Sequence, residues 1–268
     1  MKTRISSQPD NLKIYLNKIW QHKSLILTLA KRDLKVKYAQ TTLGLAWTVL
    51  QPLTAVFIYT LFFSVLLDFD TEYPYILFVL SGILLWGLFN YIFSQGSTSL
   101  IQNQDLIRKM YFPKMILPLS KALVAFVEFA IIFVLFIVLL IAFRVPISWK
   151  ILLIPFPLFI LLLFSIGTAY MLSAATVKNR DLNHIIPFLI NFGIWLTPVF
   201  YPVTIIPSKF ANWLYINPMA SIIQFFRWCV FDEPINLYLC LGFGVSLFVF
   251  ILGFTYFKQT EDEIIDLL

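Results

Sequence analysis

The stretch KALVAFVEFAIIFVLFIVLLIAF, residues Lys121–Phe143, decides the fold class. A helix of about 20 mostly apolar residues crosses a hydrocarbon core of about 30 Å, and this stretch exceeds that length. Lipid offers no hydrogen-bond partners to a bare backbone, which favours a helix as the spanning structure. Hydrophobic residues make up 60% of the whole chain, so the stretch is one of several.

Five further apolar stretches have spanning length, and none shows the alternating pattern of barrel strands. The sequence therefore predicts an all-α integral membrane protein with six transmembrane helices. The other predicted spans are Trp47–Leu67, Tyr75–Phe93, Ile151–Thr176, Ile185–Tyr201 and Leu237–Phe257.

The charges predict an orientation. Basic residues, among them Lys2 and Arg4, concentrate before span one and recur between spans two and three and between spans four and five, and Lys258 follows span six. The opposite loops carry acids such as Asp68, Asp70 and Glu72. Basic loops remain cytoplasmic, so both termini are predicted to be cytoplasmic. The net charge of +6 suits a surface beside anionic lipid and calls for no nucleic acid.

The pattern predicts three regions: a cytoplasmic amphipathic interface region at 1–46, a six-span domain at 47–257 and a cytoplasmic tail at 258–268. After Ser24, a residue type that caps helices, apolar and basic residues recur at helical spacing. Such a helix lies in the membrane interface, and Gly44 allows a turn into the first span. A plain surface anchor and a lever or headgroup contact both remain open as its role.

The cytoplasmic loop between spans two and three predicts a short helix. Asp105–Met110 combines charged and apolar positions, and Pro113 ends the pattern. Leu106, Ile107, Tyr111 and Phe112 are expected to be exposed there. Docking of a cytoplasmic partner and packing against the membrane both explain exposed apolar residues at this place.

The external segment 202–234 predicts a pair of short helices that dip back into the membrane. It is rich in apolar and aromatic residues, and Pro207 and Pro218 break it. Irregular backbone at that depth needs a cover of protein or a wet cavity.

The chain lacks the motifs of several enzyme classes. None of its glycines precedes a lysine, so it has no GxxxxGK[ST] phosphate loop. Its two histidines, His22 and His184, have no neighbouring metal-ligand cluster, which predicts no metal site. The sequence therefore predicts a protein that does not itself hydrolyse ATP by that route.

One acid, Glu128, interrupts the third span. It lies about 10 Å deep at 1.5 Å per residue, where a charge faces protein or water rather than lipid. An ion pair with a basic residue of the interface helix is one reading, and a substrate or gating role is the other.

Four parts of the chain resemble type-2 ABC exporter permeases for polysaccharides, the family of O-antigen, capsule and teichoic-acid permeases. The resemblance covers nearly the whole chain in order. The matching stretches are Lys31–Tyr38 with Leu43–Gly44, Trp47 and Gln51–Pro52; Leu106–Pro113; Val177–Leu182 with Leu196–Pro202; and Asn217–Met219 ahead of Arg227.

The resemblance implies a homodimer in the bacterial inner membrane, with two copies of a separate ATPase subunit that bind ATP and Mg²⁺. It assigns no cofactor to this chain. It implies that a lipid-linked glycan, most of all O-antigen, crosses a channel lined partly by aromatic residues of spans one and five. Those residues here are Trp47, Phe57, Tyr59, Phe62, Phe63, Phe188, Phe192, Trp195, Phe200 and Tyr201.

The resemblance also assigns roles outside the channel. A basic set would meet the diphosphate headgroup of the substrate: Arg32, Lys35, Lys37, Lys178 and Arg180. A coupling helix would contact the ATPase: Asp105, Leu106, Ile107, Arg108 and Lys109. External gate helices would span Pro207–Val230, with Asn217, Pro218 and Arg227.

Two other functions compete with polysaccharide export. A type-2 ABC exporter for a drug or lipid shares the architecture, although the basic interface helix and the aromatic content favour a glycan. A membrane-embedded transferase needs paired polar groups within the membrane, and the predicted spans have almost none.

Overall fold

The computed structural model of the chain describes residues 12–39, 41–66 and 73–267, and every regular element in these ranges is helical. Residues 1–11 of the predicted interface region therefore lie outside the described residues. So do these residues on which the predicted orientation and the end of span one rested: Lys2, Arg4, Leu67, Asp68, Asp70 and Glu72.

Twelve α-helices follow one another in the described ranges, joined by short turns and 3-10 segments. Helix α3 continues into a π-helical segment at Leu61–Leu66. The helices are α1 Leu12–Gln21, α2 Lys23–Tyr38, α3 Trp47–Thr60, α4 Tyr75–Ser97, α5 Ser99–Gln102, α6 Gln104–Lys109, α7 Ile116–Ala142, α8 Pro155–Lys178, α9 Leu182–Gly193, α10 Ser208–Leu214, α11 Pro218–Phe231 and α12 Leu239–Leu267.

Five helical segments of the described chain are long and apolar enough to cross a membrane, which confirms an α-helical membrane protein. They coincide with the predicted spans one, two, three, four and six. Their bounds are Gly44–Ser64, Tyr75–Ser97, Ile116–Ala142, Trp149–Lys178 and Leu239–Ile264.

The predicted fifth span is not one continuous helix, so the count of six spans is not confirmed. Helix α9 is 12 residues long and ends at Gly193, and turns follow it to Phe200. Side chains elsewhere in the fold donate hydrogen bonds to the carbonyls of these turns. The Tyr75 hydroxyl donates to Phe200 O, and Arg227 donates to Pro198 O and Val199 O. Hydropathy alone does not reveal such a break.

Helix α4 lies at the centre of the fold and is the most buried of the five long helices. It packs against α3, α7, α8 and α11. Helices α8 and α12 form the most extensive helix pair. Gly253 allows this close approach because it has no Cβ, which would fall 2.0 Å from Gly167 O. Helix α3 is by contrast the least buried of the long helices.

A second apolar cluster, separate from the core around α4, lies at the predicted cytoplasmic side and includes residues of α1 and α12. Tyr15 of α1, Ile107 of α6 and Phe257 of α12 are buried together in it. The carboxylate of Glu261 on α12 accepts the Tyr15 hydroxyl and the Lys114 backbone N–H, each at 2.6 Å. One side chain therefore joins the first helix, the last helix and the loop before α7.

Candidate functional site

A cavity of about 1020 Å³ opens between α2, α3, α4 and α7. It exists because α3 packs only lightly on the rest of the bundle. Its wall combines aromatic rings with uncharged amides, and charged side chains of α2 and α7 line one part of it. The aromatic and amide residues are Trp47, Tyr59, Trp86, Tyr91, Gln51, Asn90, Gln95, Gln102 and Asn103.

Asp33 organises the first group of charges on the cavity wall. Its carboxylate contacts Arg32 at 2.8 Å and the ammonium of Lys121 on α7 at 2.8 Å, and Arg32 also donates to Asn103 at 2.8 Å. Burial opposes the charge on Asp33, but the hydrogen bonds and attraction of Lys121 and Arg32 outweigh it and lower the pKa of Asp33. The pair of Asp33 with Lys121 thus fastens α2 to α7.

Glu128 organises the second group. It lies 2.6 Å from the Lys37 ammonium and accepts the Tyr38 hydroxyl at 2.7 Å. The structure therefore contains the ion pair with the interface helix that was one of two readings of this acid. Burial, with the Glu128 carboxylate beside it, raises the pKa of Tyr38 to about 12, so its hydroxyl stays protonated as a donor. Lys37 also lies 4.6 Å from the centre of the Tyr91 ring.

The five predicted headgroup residues are not in one cluster of described contacts. Arg32 and Lys37 line the cavity and are ion-paired. Lys35 on α2 and Arg180 after α8 are exposed. Lys178 pairs instead with Glu263 of α12, at 2.5 Å. The contacts of the described residues thus leave open whether all five meet one ligand.

Four of the ten predicted channel aromatics form one cluster where α3 meets the turns after α9. The Tyr59 ring stacks on Phe200 at 3.7 Å and meets Trp195 edge-on at 6.3 Å, and Phe63 stacks on Phe200 at 6.2 Å. Phe200 itself is fully buried and supports the others from behind. Tyr59 reaches the cavity, so the cluster forms one end of its wall.

The other predicted aromatics are placed separately. Trp47 lies on the cavity wall, and Tyr201 donates to Trp195 O at 3.2 Å. The rest are more than half exposed and lie on α3, on the π-helical segment that continues it and on α9: Phe57, Phe62, Phe188 and Phe192.

The loop between α4 and α7 differs from its expected exposure. Ile107 is only 6% exposed and Leu106 is partly buried, because α6 turns its apolar face onto the second apolar cluster. The expectation that these two residues are exposed was therefore wrong. Phe112, also expected to be exposed, is buried in the same cluster. The exposed apolar residues lie just beyond the helix: Met110, and Tyr111 at 78%. Asp105, Arg108 and Lys109 lie on the exposed side of α6.

The predicted gate residues tie α11 to its surroundings. Asn217 accepts the Met219 N–H at 3.0 Å as the cap of α11, and it donates to Thr197 at 2.9 Å. Pro218 occupies the first turn, where its missing N–H costs nothing. The segment does contain two short helices, α10 and α11, as predicted.

Arg227 is fully buried within this segment. Its guanidinium donates to Pro198 O at 2.7 Å, to Val199 O at 2.9 Å, to Phe78 O at 3.1 Å and to Ser81 Oγ at 3.2 Å, and it lies 3.5 Å from the centre of the Phe78 ring. A buried charge is tolerated where hydrogen bonds satisfy it so fully. Arg227 therefore fastens the turns after α9 to α4 and α11.

Sequence reasoning did not assign a role to Asp33, Lys121 or the amides of the cavity wall. Asp33 carried a usable signal, since it is the only acid in the basic helix α2. The amides carried none, because single Gln and Asn residues in an apolar helix do not indicate which neighbour they face.

The fold and site define a multi-span helical membrane protein with an open, amphiphilic cavity and no group of possible metal ligands among the described residues. A family model described as ABC-2 type transporter matches residues 24–231. The chain belongs to this family of transporter membrane proteins.

Curated relatives carry names from polysaccharide export. The chain is 31% identical to the O-antigen export system permease protein RfbA of Myxococcus xanthus, over 79% of this chain and 82% of the relative. It is 25% identical to a protein of the same name from Klebsiella pneumoniae, over 91% and 95%. It is 21% identical to the polysialic acid transport protein KpsM of Escherichia coli, over 91% and 96%.

Proposed function

We propose that this chain is the membrane subunit of an exporter that moves a lipid-linked polysaccharide, most of all an O-antigen, across the bacterial inner membrane. The observation that carries the proposal is the 31% identity to an O-antigen export permease over 79% of the chain. A separate ATPase subunit would bind ATP and Mg²⁺ and supply the energy. Both termini would lie in the cytoplasm, on the side of the basic loops.

The cavity between α2, α3, α4 and α7 suits the first contact with such a substrate. Its aromatic rings offer apolar faces to the C–H face of a sugar, while its amides donate and accept hydrogen bonds. Lys35 and Lys37 on α2 would meet the diphosphate as charge-assisted donors. Since Lys37 is paired with Glu128, an anion at this place would compete with that carboxylate.

The exposed aromatics of α3 and α9 suit a second copy of the chain. Both helices, with the π-helical segment that continues α3, present bulky apolar side chains that are more than half exposed, including Phe57, Phe62, Phe188 and Phe192. A homodimer that brings these faces together would enclose a path lined by weak, repeated contacts. Such contacts suit a polymer that slides through.

The exposed side of α6 would receive the ATPase. Ile107 anchors this helix in the second apolar cluster, so a push on its exposed side would reach α1, α7 and α12 through packed side chains. ATP-driven closure of the partner subunits would in this way favour one of two packings of the bundle. The chain itself would make and break no covalent bond.

Export of a capsular polysaccharide is the second candidate. The relationship to two polysialic acid transport proteins favours it, at 21% and 20% identity. Teichoic-acid export and small-molecule export have no comparable support among these relatives.

Deletion of the gene for this chain tests the function directly. Surface glycans and cytoplasmic lipid-linked intermediates are measured in parallel. Loss of one surface glycan, with its finished lipid-linked form trapped inside, is the expected result and identifies the substrate. Normal surface glycans without a trapped intermediate would refute polysaccharide export.

Substitution of the basic set tests the headgroup contact. The triple variant Lys35→Ala, Lys37→Ala and Arg180→Ala is expected to lower export at unchanged subunit abundance, because the diphosphate loses its donors. Lys31→Ala, an exposed lysine of α2 outside the set, is the matched control. Unchanged export in the triple variant would place the headgroup contact elsewhere.

Charge reversal on α6 tests the coupling role. Asp105→Lys with Lys109→Glu changes the exposed side and leaves buried Ile107 in place. Co-purification of the ATPase and its substrate-stimulated turnover are both expected to fall. If the variant assembles with the ATPase and stimulates it normally, the docking surface is not on α6.

A further inference from the structure

A second cavity, of about 920 Å³, lies on the opposite side of the molecule from the basic loops. The segment 202–206, helices α10 and α11, and the segment 233–238 enclose it. Its size is within the range of small-molecule sites, which are mostly apolar with a few converging polar groups.

Gln224 of α11 brings a buried, unpaired acceptor close to this cavity. The residue lies in the wall and is only 4% exposed. Its Nε2 donates to Glu233 at 2.9 Å, so Oε1 points away from that carboxylate, and Oε1 has no hydrogen-bond partner among the described residues. A buried acceptor without a donor is costly, and native proteins rarely leave one unpaired. A ligand that brings an O–H or N–H to this wall would satisfy it after a small shift of the amide.

The rest of the wall indicates the chemistry of that ligand. Tyr73, Tyr215 and Tyr238 combine ring surface with a hydroxyl, and Asn236 adds an amide. Rings with polar tips suit a molecule that has both C–H faces and hydroxyl groups.

The charged groups of the wall favour a neutral ligand over an anion. Glu233 is an acid, and no lysine or arginine is among the described residues that line the cavity. Arg227, the nearest buried cation on α11, gives its donors to Ser81 and to backbone carbonyls. A carboxylate accepts hydroxyl donors well but repels phosphate, sulfate and acidic sugars.

We propose that this external cavity binds a neutral saccharide segment of the exported glycan as the chain leaves the membrane. The proposal rests on the proposed export function. It places a sugar site on the release side, separate from the cavity between α2, α3, α4 and α7. It also predicts a preference for neutral over acidic sugars.

Binding to the purified protein in lipid nanodiscs tests the chemistry without export. Saturation-transfer NMR would measure mannotriose and chitotriose as neutral probes, trigalacturonate as the acidic probe and tetraethylammonium as a cationic one. The neutral probes are expected to bind saturably. Gln224→Met, which loses one hydrogen bond, and Tyr238→Ser, which loses the ring contact and the reach of the hydroxyl, should each weaken them about fivefold. Trp149→Ser, which removes an exposed aromatic outside the cavity, should bind as wild type.

Tyr238 keeps the test valid if the buried Gln224→Met variant fails to fold, because Tyr238 is 48% exposed. Absent binding of both neutral probes overturns the proposal, as does wild-type binding by Tyr238→Ser. Stronger binding of trigalacturonate or tetraethylammonium overturns the assigned ligand class.

Export in cells then tests whether the ligand is the exported chain. Tyr238→Ser is expected to slow the appearance of the glycan at the surface, at unchanged subunit abundance, while Trp149→Ser does not. Probe binding with normal export by Tyr238→Ser would show a site for a free saccharide and overturn the assignment to the exported chain. Failure of polysaccharide export itself is seen separately, as normal surface glycans after gene deletion.

Discussion

Replacing Arg227 by methionine is expected to loosen the turns that follow α9. The guanidinium donates to four acceptors at 2.7–3.2 Å and is fully buried. Methionine fills a similar elongated volume but donates no hydrogen bond. The change therefore removes the donors without adding bulk.

The loss of stability depends on how many of these acceptors have no other side-chain donor among the described residues. Ser81 and Phe78 remain paired, because the Ser81 hydroxyl donates to Phe78 O at 2.6 Å. Pro198 O and Val199 O are left in the interior without Arg227. An unsatisfied buried acceptor costs about 1–3 kcal/mol, so the free energy of unfolding should fall by about 2–6 kcal/mol.

Thermal unfolding of the purified protein in one detergent measures this loss. Each kcal/mol of lost stability lowers the melting temperature by about 2–4 °C, so the melting temperature should fall by roughly 4–24 °C. Arg227→Lys, which keeps the charge and some donors, should fall between wild type and Arg227→Met. Arg144→Met replaces an exposed arginine and should change stability by less than about 0.5 kcal/mol. A melting temperature of Arg227→Met within about 1 °C of wild type would refute the anchoring role.

Two further predictions concern the packing of α4 and the charge on α2. Gly82→Ala places a Cβ 2.9 Å from Val199 O, so thermal unfolding should show a loss of about 1–3 kcal/mol; Gly87→Ala, with open space around it, should show none. Because the folded-state pKa of Asp33 is lowered, its stabilising pair with Lys121 is complete above about pH 4 and is lost as the pH falls through that pKa. The melting temperature of wild type should drop more than that of Asp33→Asn on acidification, and equal drops would contradict the reasoning.

Hydropathy was sufficient to predict five of the long helices, because a run of apolar residues commits its backbone to a helix wherever its neighbours lie. The same reasoning extended the fifth span through Tyr201. It was insufficient there because the carbonyls of the turns bond to Arg227 and Tyr75, which are distant in sequence.

The candidate site was predictable to a similar degree. An ion pair of the shallow acid Glu128 with a basic residue of the interface helix was one of two readings, and the structure shows that the partner is Lys37. The burial of Ile107 could not be predicted. An apolar helix face is normally covered, but the sequence does not show whether lipid, a partner protein or α12 of the same chain covers it. The partner of Asp33 was likewise hidden, because Lys121 begins a span far along the chain.

The hydrogen bonds that Glu261 accepts have a consequence for folding during synthesis. Its carboxylate takes the Tyr15 hydroxyl and the Lys114 N–H, yet it lies near the end of the last helix. During synthesis, the loop before α7 emerges long before the group that fixes it. A nascent chain, or one cut short before Glu261, therefore presents that loop unanchored, and the surface proposed to receive the ATPase is completed only after α12 has been synthesised.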